Sequence, residues 1–254
     1  MNNTIRNIHL NKTGKVSDKW SSYLDYYDDV FLSKKDHAVN LLEIGIQNGG
    51  SLETWAEYFS NARNIIGCDI DDNCRSLKFS DPRIKLIVAD INTVYTYQEI
   101  NKHCNNLDIV IDDGSHRSVD ILSSFVTFFE MLNPGGIYIV EDTHTLYWQD
   151  WGGEKTNKYN AYIFFKKMID IINHQFWDAE TSIPEFFSDF FNPHRTPSFI
   201  LDGWVESIEF RNSLIIIKKA KKPTKNGLGE RLVTGTQALV NHNVKEHHQD
   251  TEIA

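Results

Sequence analysis

From residue 39 onward, apolar runs of four to seven residues recur along the chain, several rich in β-branched side chains. They fall at 39–45 (VNLLEIG), 64–70 (NIIGCDI), 84–91 (IKLIVADI), 107–114 (LDIVIDDG) and 136–142 (GIYIVED). Between them, 51–59, 95–104 and 119–132 place apolar residues at helical spacing. Near-continuous apolar strands separated by helices predict a parallel sheet covered on both faces. Asn133-Pro-Gly-Gly136 reads as a turn that stops the last helix and launches a strand. The rhythm then lapses. Residues 151–203, rich in Phe, Tyr, Trp and His, predict a helical insertion lying over a site. Residues 204–220 predict two strands joined at Arg211-Asn212-Ser213. Ahead of the sheet, 19–31 (KWSSYLDYYDDVF) reads as an amphipathic helix within a helical segment, 1–38. The pattern therefore predicts a doubly wound α/β domain over 39–222 and a polar, histidine-rich tail over 223–254, flexible or in contact with a partner. Its seven-stranded sheet is mostly parallel, with a C-terminal antiparallel hairpin.

Composition narrows this picture mainly by exclusion. The 254 residues suffice for one large domain, and 41% hydrophobic residues can fill its core. A formal net charge of −9 argues against a nucleic-acid partner, which favours a basic face. No apolar run approaches the roughly 20 residues of a membrane span, and the N-terminus shows no signal-peptide pattern. Cys68, Cys74 and Cys104 lack metal or disulfide spacing. The expected setting is cytoplasmic and reducing.

In a doubly wound sheet, ligands bind at the carboxyl ends of the strands. The first strand ends in Glu43-Ile-Gly-Ile-Gln-Asn-Gly-Gly-Ser51, where Gly45 and Gly49 permit a tight turn and a close ligand approach. The spacing is not GxGxxG, which weakens a dinucleotide reading, and no Walker lysine is present. Asp69 ends the second strand, placed for ribose hydroxyls; Asp90 ends the third, placed for an adenine edge. Together they favour an adenosine-containing ligand. The fourth and fifth strands end in Asp112-Asp113-Gly-Ser-His116 and Glu141-Asp142. Four carboxylates in a small volume suit a hard divalent cation, Mg2+ or Mn2+, although acids at such positions also cap helices. His116 is a candidate general base and His144 a second one. Tyr147 and Trp148 can wall a substrate pocket or pack within the insertion. His242, His247 and His248 show no metal spacing and read as solvated.

LLEIGIQNGGSLETW, GCDID, IDDGSH, LNPGGIYIVEDTHTLYW and ESIEFRNSLIIIKK together resemble class I S-adenosylmethionine-dependent methyltransferases, whose sheet is Rossmann-like. More narrowly they resemble the metal-dependent sugar O-methyltransferases of macrolide biosynthesis and their polysaccharide-modifying relatives, over residues 15 to about 220. The resemblance implies Mg2+ on Asp113, Glu141 and Asp142, with His116 as general base. It places S-adenosylmethionine on Glu43, Gly45, Gly49, Ser51, Asp69 and Asp90, with Asp112 beside it. The segment around Ser17-Asp-Lys19 also matches and would close over the cofactor. The acceptor would be a sugar or glycan, with His144, Tyr147 and Trp148 near it, and a homo-oligomer is a further expectation by analogy. Competing readings are a cephalosporin-hydroxylase-like oxidoreductase on the same fold and a non-catalytic cofactor-binding scaffold. An NAD enzyme is disfavoured by the missing glycine motif, and a glycosyltransferase using Asp69-Ile-Asp71 would leave the later acids without a role.

Overall fold

A computed structural model of the chain describes residues 4–178, 180–223, 229, 231–240 and 243. Its centre is a seven-stranded sheet: β1 (Asn40–Ile44), β2 (Asn64–Asp69), β3 (Ile84–Val88), β4 (Leu107–Asp112), β5 (Leu132–Val140), β6 (Val205–Arg211) and β7 (Leu214–Lys219). The order across the sheet is β3-β2-β1-β4-β5-β7-β6. The first five strands are parallel, and β7 joins β5 and β6 antiparallel. Strand order reverses between β1 and β4, so their carboxyl ends open the crevice where such folds bind ligands.

Each central strand is apolar at consecutive positions because both faces are covered. Leu41, Ile109, Ile111, Ile137, Ile139 and Ile216 face one core, while Leu42, Val110, Tyr138, Val140, Ile215 and Ile217 face the other. The first core is closed by α1 (Ile5–Asn11), α2 (Ser21–Phe31) and α3 (Gly50–Tyr58). The second is closed by α4 (Val94–His103), α5 (Ser118–Met131) and α6 (Ala161–Ile172), with the short α7 (Ile183–Phe186) and α8 (Ser198–Leu201) nearby. Lys219 on β7 is buried and donates to the carbonyls of Phe129 and Glu130, each at 3.0 Å. A cation there satisfies the free carbonyls at the end of α5.

Three expectations change. Helices α1 and α2 form a layer of the sheet, and only the link between them, at Val16 to Lys19, reaches the crevice. Helix α1, capped by the Thr4 hydroxyl, falls within the helical segment expected over 1–38. The insertion 151–203 is helical, yet none of its residues lines the crevice. It completes the second core instead: Phe164, Phe165 and Phe199 pack their rings against Phe125, with centroids 5.1–5.9 Å apart. Asn133-Pro-Gly-Gly136 lies inside β5, where pairing skips from Leu107↔Leu132 to Ile109↔Ile137. That is a bulge within the strand. The tail beyond 223 lies largely outside the described residues, including His242, His247 and His248. Among the described residues, no helix is long and apolar enough to cross a membrane, and the three cysteines are free.

Phe125 is fully buried and touches five other rings, so Phe125→Ala should cost about 3–5 kcal/mol. Urea denaturation checks this; a loss under about 1 kcal/mol would mean the insertion does not share the main core.

Candidate active site at the strand ends

The site is assembled where three strand ends and the α1–α2 link meet. Two close backbone approaches shape it. Gly45 has φ +80°, and a Cβ there would stand 2.1 Å from the carbonyl oxygen of Asp113. At Gly50 a Cβ would meet the carbonyl of Val16 at 2.2 Å. The first glycine lets the β1 turn lie against the end of β4, and the second admits the link over α3. His116 (φ 58°) and Asp142 (φ 52°) both adopt left-handed backbone conformations, which costs a non-glycine residue about 1 kcal/mol or more. Surrounding bonds fix them. Thr145 donates its hydroxyl to the carbonyls of Asp142 (2.7 Å) and His116 (3.2 Å), joining the two turns.

The innermost feature is Lys19. Its ammonium lies 2.5 Å from Asp113 Oδ2, 2.8 and 3.0 Å from the two oxygens of Glu141, and 3.5 Å from Glu43 Oε1. Glu43 is fully buried and Glu141 nearly so. The Tyr27 hydroxyl donates to Glu141 Oε1 in a very short bond, and Ser51 donates to Glu43 Oε2 at 2.6 Å. Burial alone would pull the Lys19 pKa down, but Glu141, Asp113 and Glu43 override it and hold it well above its ordinary value. Burial raises Glu43, and it raises Glu141 with help from Asp113, against the opposing pull of Lys19. The acids outnumber the one lysine, and the raised pKa values of Glu43 and Glu141 relieve part of that excess.

Outside this pocket stand Asp113, His116 and Asp142, whose potential ligand atoms all lie within 4.8 Å of one another. His116 Nε2 is 3.9 Å from both Asp113 Oδ1 and Asp142 Oδ2. Asp142 is steadied by the Trp20 indole N–H at 3.0 Å and by the Tyr23 hydroxyl at 2.9 Å. His144 Nδ1 sits 2.5 Å from Ser213 Oγ and 3.9 Å from Asp142 Oδ1. Its ring makes edge contacts with Trp20 and Trp148. Trp148 is half-exposed beside His144, while Tyr147, equally exposed, packs its ring on Tyr162 of the insertion; neither lines the crevice. The expected metal set thus divides. Asp113 and Asp142 come together with His116, whereas both oxygens of Glu141 are turned to Lys19.

The crevice itself is a cavity of about 510 Å3 running from Val16–Lys19 past the β1 turn to Asp113, His116 and Asp142. Of the residues expected to hold an adenosine ligand, Gly45, Ser51, Asp69, Asp90 and Asp112 line it; Glu43 and Gly49 do not. Glu43 lies beneath the floor. Asp69 spends its carboxylate on the backbone N–H groups of Ile46, Gln47 and Asp71, each at 2.9 Å, and so shapes the turn. Asp71, exposed two residues later, lines the same wall and offers a freer carboxylate. Asp112 is buried and accepts from Ser124 (2.6 Å) and Tyr138 (3.0 Å). Sequence reasoning placed Lys19 only in a segment closing over the cofactor, not as the partner of the buried acids, and it missed Trp20, Tyr23, Tyr27 and Ser213 as site residues. Only the run of aromatics spaced along α2 hinted at the three aromatic ones.

Residues 42–143 match a family described as a methyltransferase domain. The chain carries a class I methyltransferase domain. Around it, 222 residues are 32% identical to the 8-demethyl-8-alpha-L-rhamnosyl tetracenomycin-C 2'-O-methyltransferase of Streptomyces olivaceus, covering 84% of this chain and 54% of that protein. The mycinamicin VI 2''-O-methyltransferase of Micromonospora griseorubida is 30% identical over 209 residues, 78% of this chain and 48% of its own. Among solved structures, the MycE methyltransferase in complex with Mg, SAH and mycinamycin VI superposes with a TM-score of 0.67 at 26% identity, covering 85% of this chain and 52% of that one. The chain spans about half the length of the curated relatives it matches. The methyltransferase domain has its crevice on the strand ends its fold predicts.

Burial lifts the carboxyl of Asp112 to about 6, with the Ser124 and Tyr138 hydrogen bonds restraining the rise. The folded protein then keeps a proton that the unfolded chain has released, so this group makes stability fall as pH rises from 3.8 to about 6. Asp112→Asn should flatten that part of the stability curve. Urea titrations across the range test it, and equal slopes in both proteins would refute the assignment.

Proposed function

We propose that the protein is an S-adenosylmethionine- and Mg2+-dependent O-methyltransferase that methylates a sugar hydroxyl. The observation that carries this reading is the juxtaposition of an acid-walled cavity with the Asp113–His116–Asp142 group at its inner end. The relatives support it, being O-methyltransferases, one of them acting on a rhamnosyl tetracenomycin. The acceptor is a sugar of a glycosylated natural product, a surface polysaccharide or a nucleotide-linked precursor. Free thiols at Cys68, Cys74 and Cys104 suit a cytoplasmic, reducing location.

The residues present fit both small molecules. A cavity of this size matches ordinary small-molecule sites, and the carboxylates of Asp71 and Asp90 line the wall where ribose hydroxyls and an adenine amine would be held. Negative charge left over beside Lys19 favours a cationic sulfonium and a divalent ion. Asp113 Oδ1 and Asp142 Oδ2 are hard oxygen donors of the kind Mg2+ takes, with room for water or substrate oxygens to complete its shell. When bound, Mg2+ supplies Lewis acidity and an orienting centre for a vicinal diol.

The chain's own part is orientation and proton removal. The Gly45 turn and the Val16–Lys19 link would hold the cofactor in the cavity that also reaches Asp113 and His116. His116 Nε2 is placed to take the proton of an acceptor hydroxyl, and the bound cofactor would supply the methyl group, its carbon–sulfur bonding pair staying with sulfur. Positioned proton removal is worth roughly 10^2- to 10^4-fold, and in-line alignment contributes much of the rest. His144, held by Ser213, stands on the acceptor side of Asp142, and Tyr147 and Trp148 offer half-exposed rings for a sugar face or its aglycone.

His116→Ala should abolish turnover while Mn2+ and S-adenosylhomocysteine still bind with unchanged affinity by calorimetry. Lost Mn2+ binding would instead make His116 a ligand, the role that its place in the three-residue group also allows. Chelation with EDTA should stop methyl transfer to a sugar acceptor, and added Mg2+ should restore it. Full activity in EDTA would remove the metal from the reaction.

A further inference from the structure

The crevice wall formed by Val16 to Lys19 belongs to a stretch without regular structure, and its upstream anchor lies outside the crevice. Among the described residues, 13–19 make no backbone-to-backbone hydrogen bond. One carboxylate holds the stretch at that end. Glu53, in the first turn of α3, accepts from Lys12 Nζ at 2.6 Å and the Lys15 backbone N–H at 3.2 Å on Oε2, and from Lys15 Nζ at 2.8 Å on Oε1. Lys12-Thr-Gly-Lys15 thus wraps around a single side chain. Gly14 permits the wrap: its φ is +99°, and a Cβ there would press to 3.2 Å from Glu53 Oε2. Lys15 Nζ also lies 4.3 Å from the centre of the Phe79 ring. That ring packs on Gly49, where a Cβ would come within 2.7 Å of it. Burial alone would raise the Glu53 carboxyl, but the hydrogen bonds from Lys12 and Lys15 override it and hold it below its ordinary value.

We propose that Glu53 is a positioning residue for cofactor binding: it clasps the Lys12–Lys15 turn and so fixes the Val16–Lys19 wall beside the Gly45 turn. The inference rests on the reading of this crevice as the S-adenosylmethionine site and adds to it what holds one wall in place. Gly45, Ile46, Gln47 and Ser51 line the crevice from the β1 turn and the start of α3, and Glu53 stands on that same helix. The clasp therefore ties two walls together from outside, since neither Glu53 nor Lys12 nor Lys15 lines the cavity. Directly after the turn, the Val16 carbonyl lies against Gly50, so a shift of the turn carries the wall with it. Without the clasp, the ligand itself has to order the stretch, and the entropy of ordering is subtracted from affinity. The three charged side chains are 11–29% exposed. Partly exposed ion pairs are individually weak, so their joint loss should cost roughly three- to tenfold in affinity.

Calorimetry of S-adenosylhomocysteine binding to the full chain tests this. Lys12→Met/Lys15→Met should raise the Kd roughly three- to tenfold. Glu53→Gln should do the same, and the triple variant should be no worse than either. That non-additivity separates a clasp from the favourable charge Glu53 supplies to the start of α3, which does not depend on the lysines. Glu53→Asp, which keeps the charge on a shorter arm, should recover part of the affinity. Unchanged Kd in the lysine variant, or losses that multiply in the triple variant, would overturn the inference. An affinity loss that only tracked a fall in the urea midpoint would also overturn it, by making the contact a matter of stability. Wild-type protein that binds no S-adenosylhomocysteine would refute the cofactor reading, and the inference with it. Lys12→Met/Lys15→Met leaves α3 untouched, so it gives the answer even if Glu53→Gln fails to fold.

Discussion

The site depends on one ammonium group placed among carboxylates that water cannot reach. Glu43 ends its strand inside the sheet and Glu141 ends another, and each is buried almost completely. Neither could stay ionised there alone, because desolvation of a carboxylate costs several kcal/mol. Lys19 offsets part of that cost, and the geometry of the crevice follows from how the chain delivers it. The α1–α2 link must cross the end of α3, so position 50 has no side chain. Helix α2 must then turn its Tyr23 and Tyr27 edge toward β5, bringing hydroxyls to Asp142 and Glu141. The layer that covers one face of the sheet is therefore also the layer that organises the reactive end.

Much of this was legible in the residues. Strands that are apolar at consecutive positions signal burial on both faces, and Leu41 and Leu42 do face opposite cores. Acids at successive strand ends converge because parallel strands bring their carboxyl ends to one edge, which is why Asp69, Asp90, Asp112 and Asp113 line one cavity. The inner lysine was not legible in the same way. Its partners lie 94 and 122 residues away, and a lysine in a polar N-terminal stretch looks like any solvated one. Periodicity reports which side of an element is apolar, not what that side meets. For that reason the aromatics of 151–203 suggested a cover, whereas Phe164, Phe165 and Phe199 belong to the main core. Two adjacent acids, Asp112 and Asp113, are likewise indistinguishable as letters. Strand alternation separates them, sending Asp112 beneath Ser124 and Tyr138 and leaving Asp113 between lysine and histidine.

Backbone strain and hydrogen bonding are matched at the reactive end. His116 and Asp142 both hold left-handed conformations, and the Thr145 hydroxyl binds the carbonyl of each. A shift in one turn is thus transmitted to the other. That coupling keeps an imidazole and a carboxylate at a fixed separation while neither lies on a regular element.

The β6–β7 turn reaches the same place from the far end of the sheet. Ser213 accepts from the backbone N–H of Thr143, lies 2.7 Å through its carbonyl from the Tyr23 hydroxyl, and holds His144 through its own hydroxyl. Seen in the order of synthesis, this spreads the site across most of the chain's assembly. Lys19 leaves the ribosome first, its carboxylate partners follow as the parallel strands form, and Ser213 arrives after all of them. A nascent chain that has already paired its parallel strands still lacks the turn that steadies Tyr23 and His144. The parallel half can therefore settle early, while the reactive end is completed only when the closing hairpin docks.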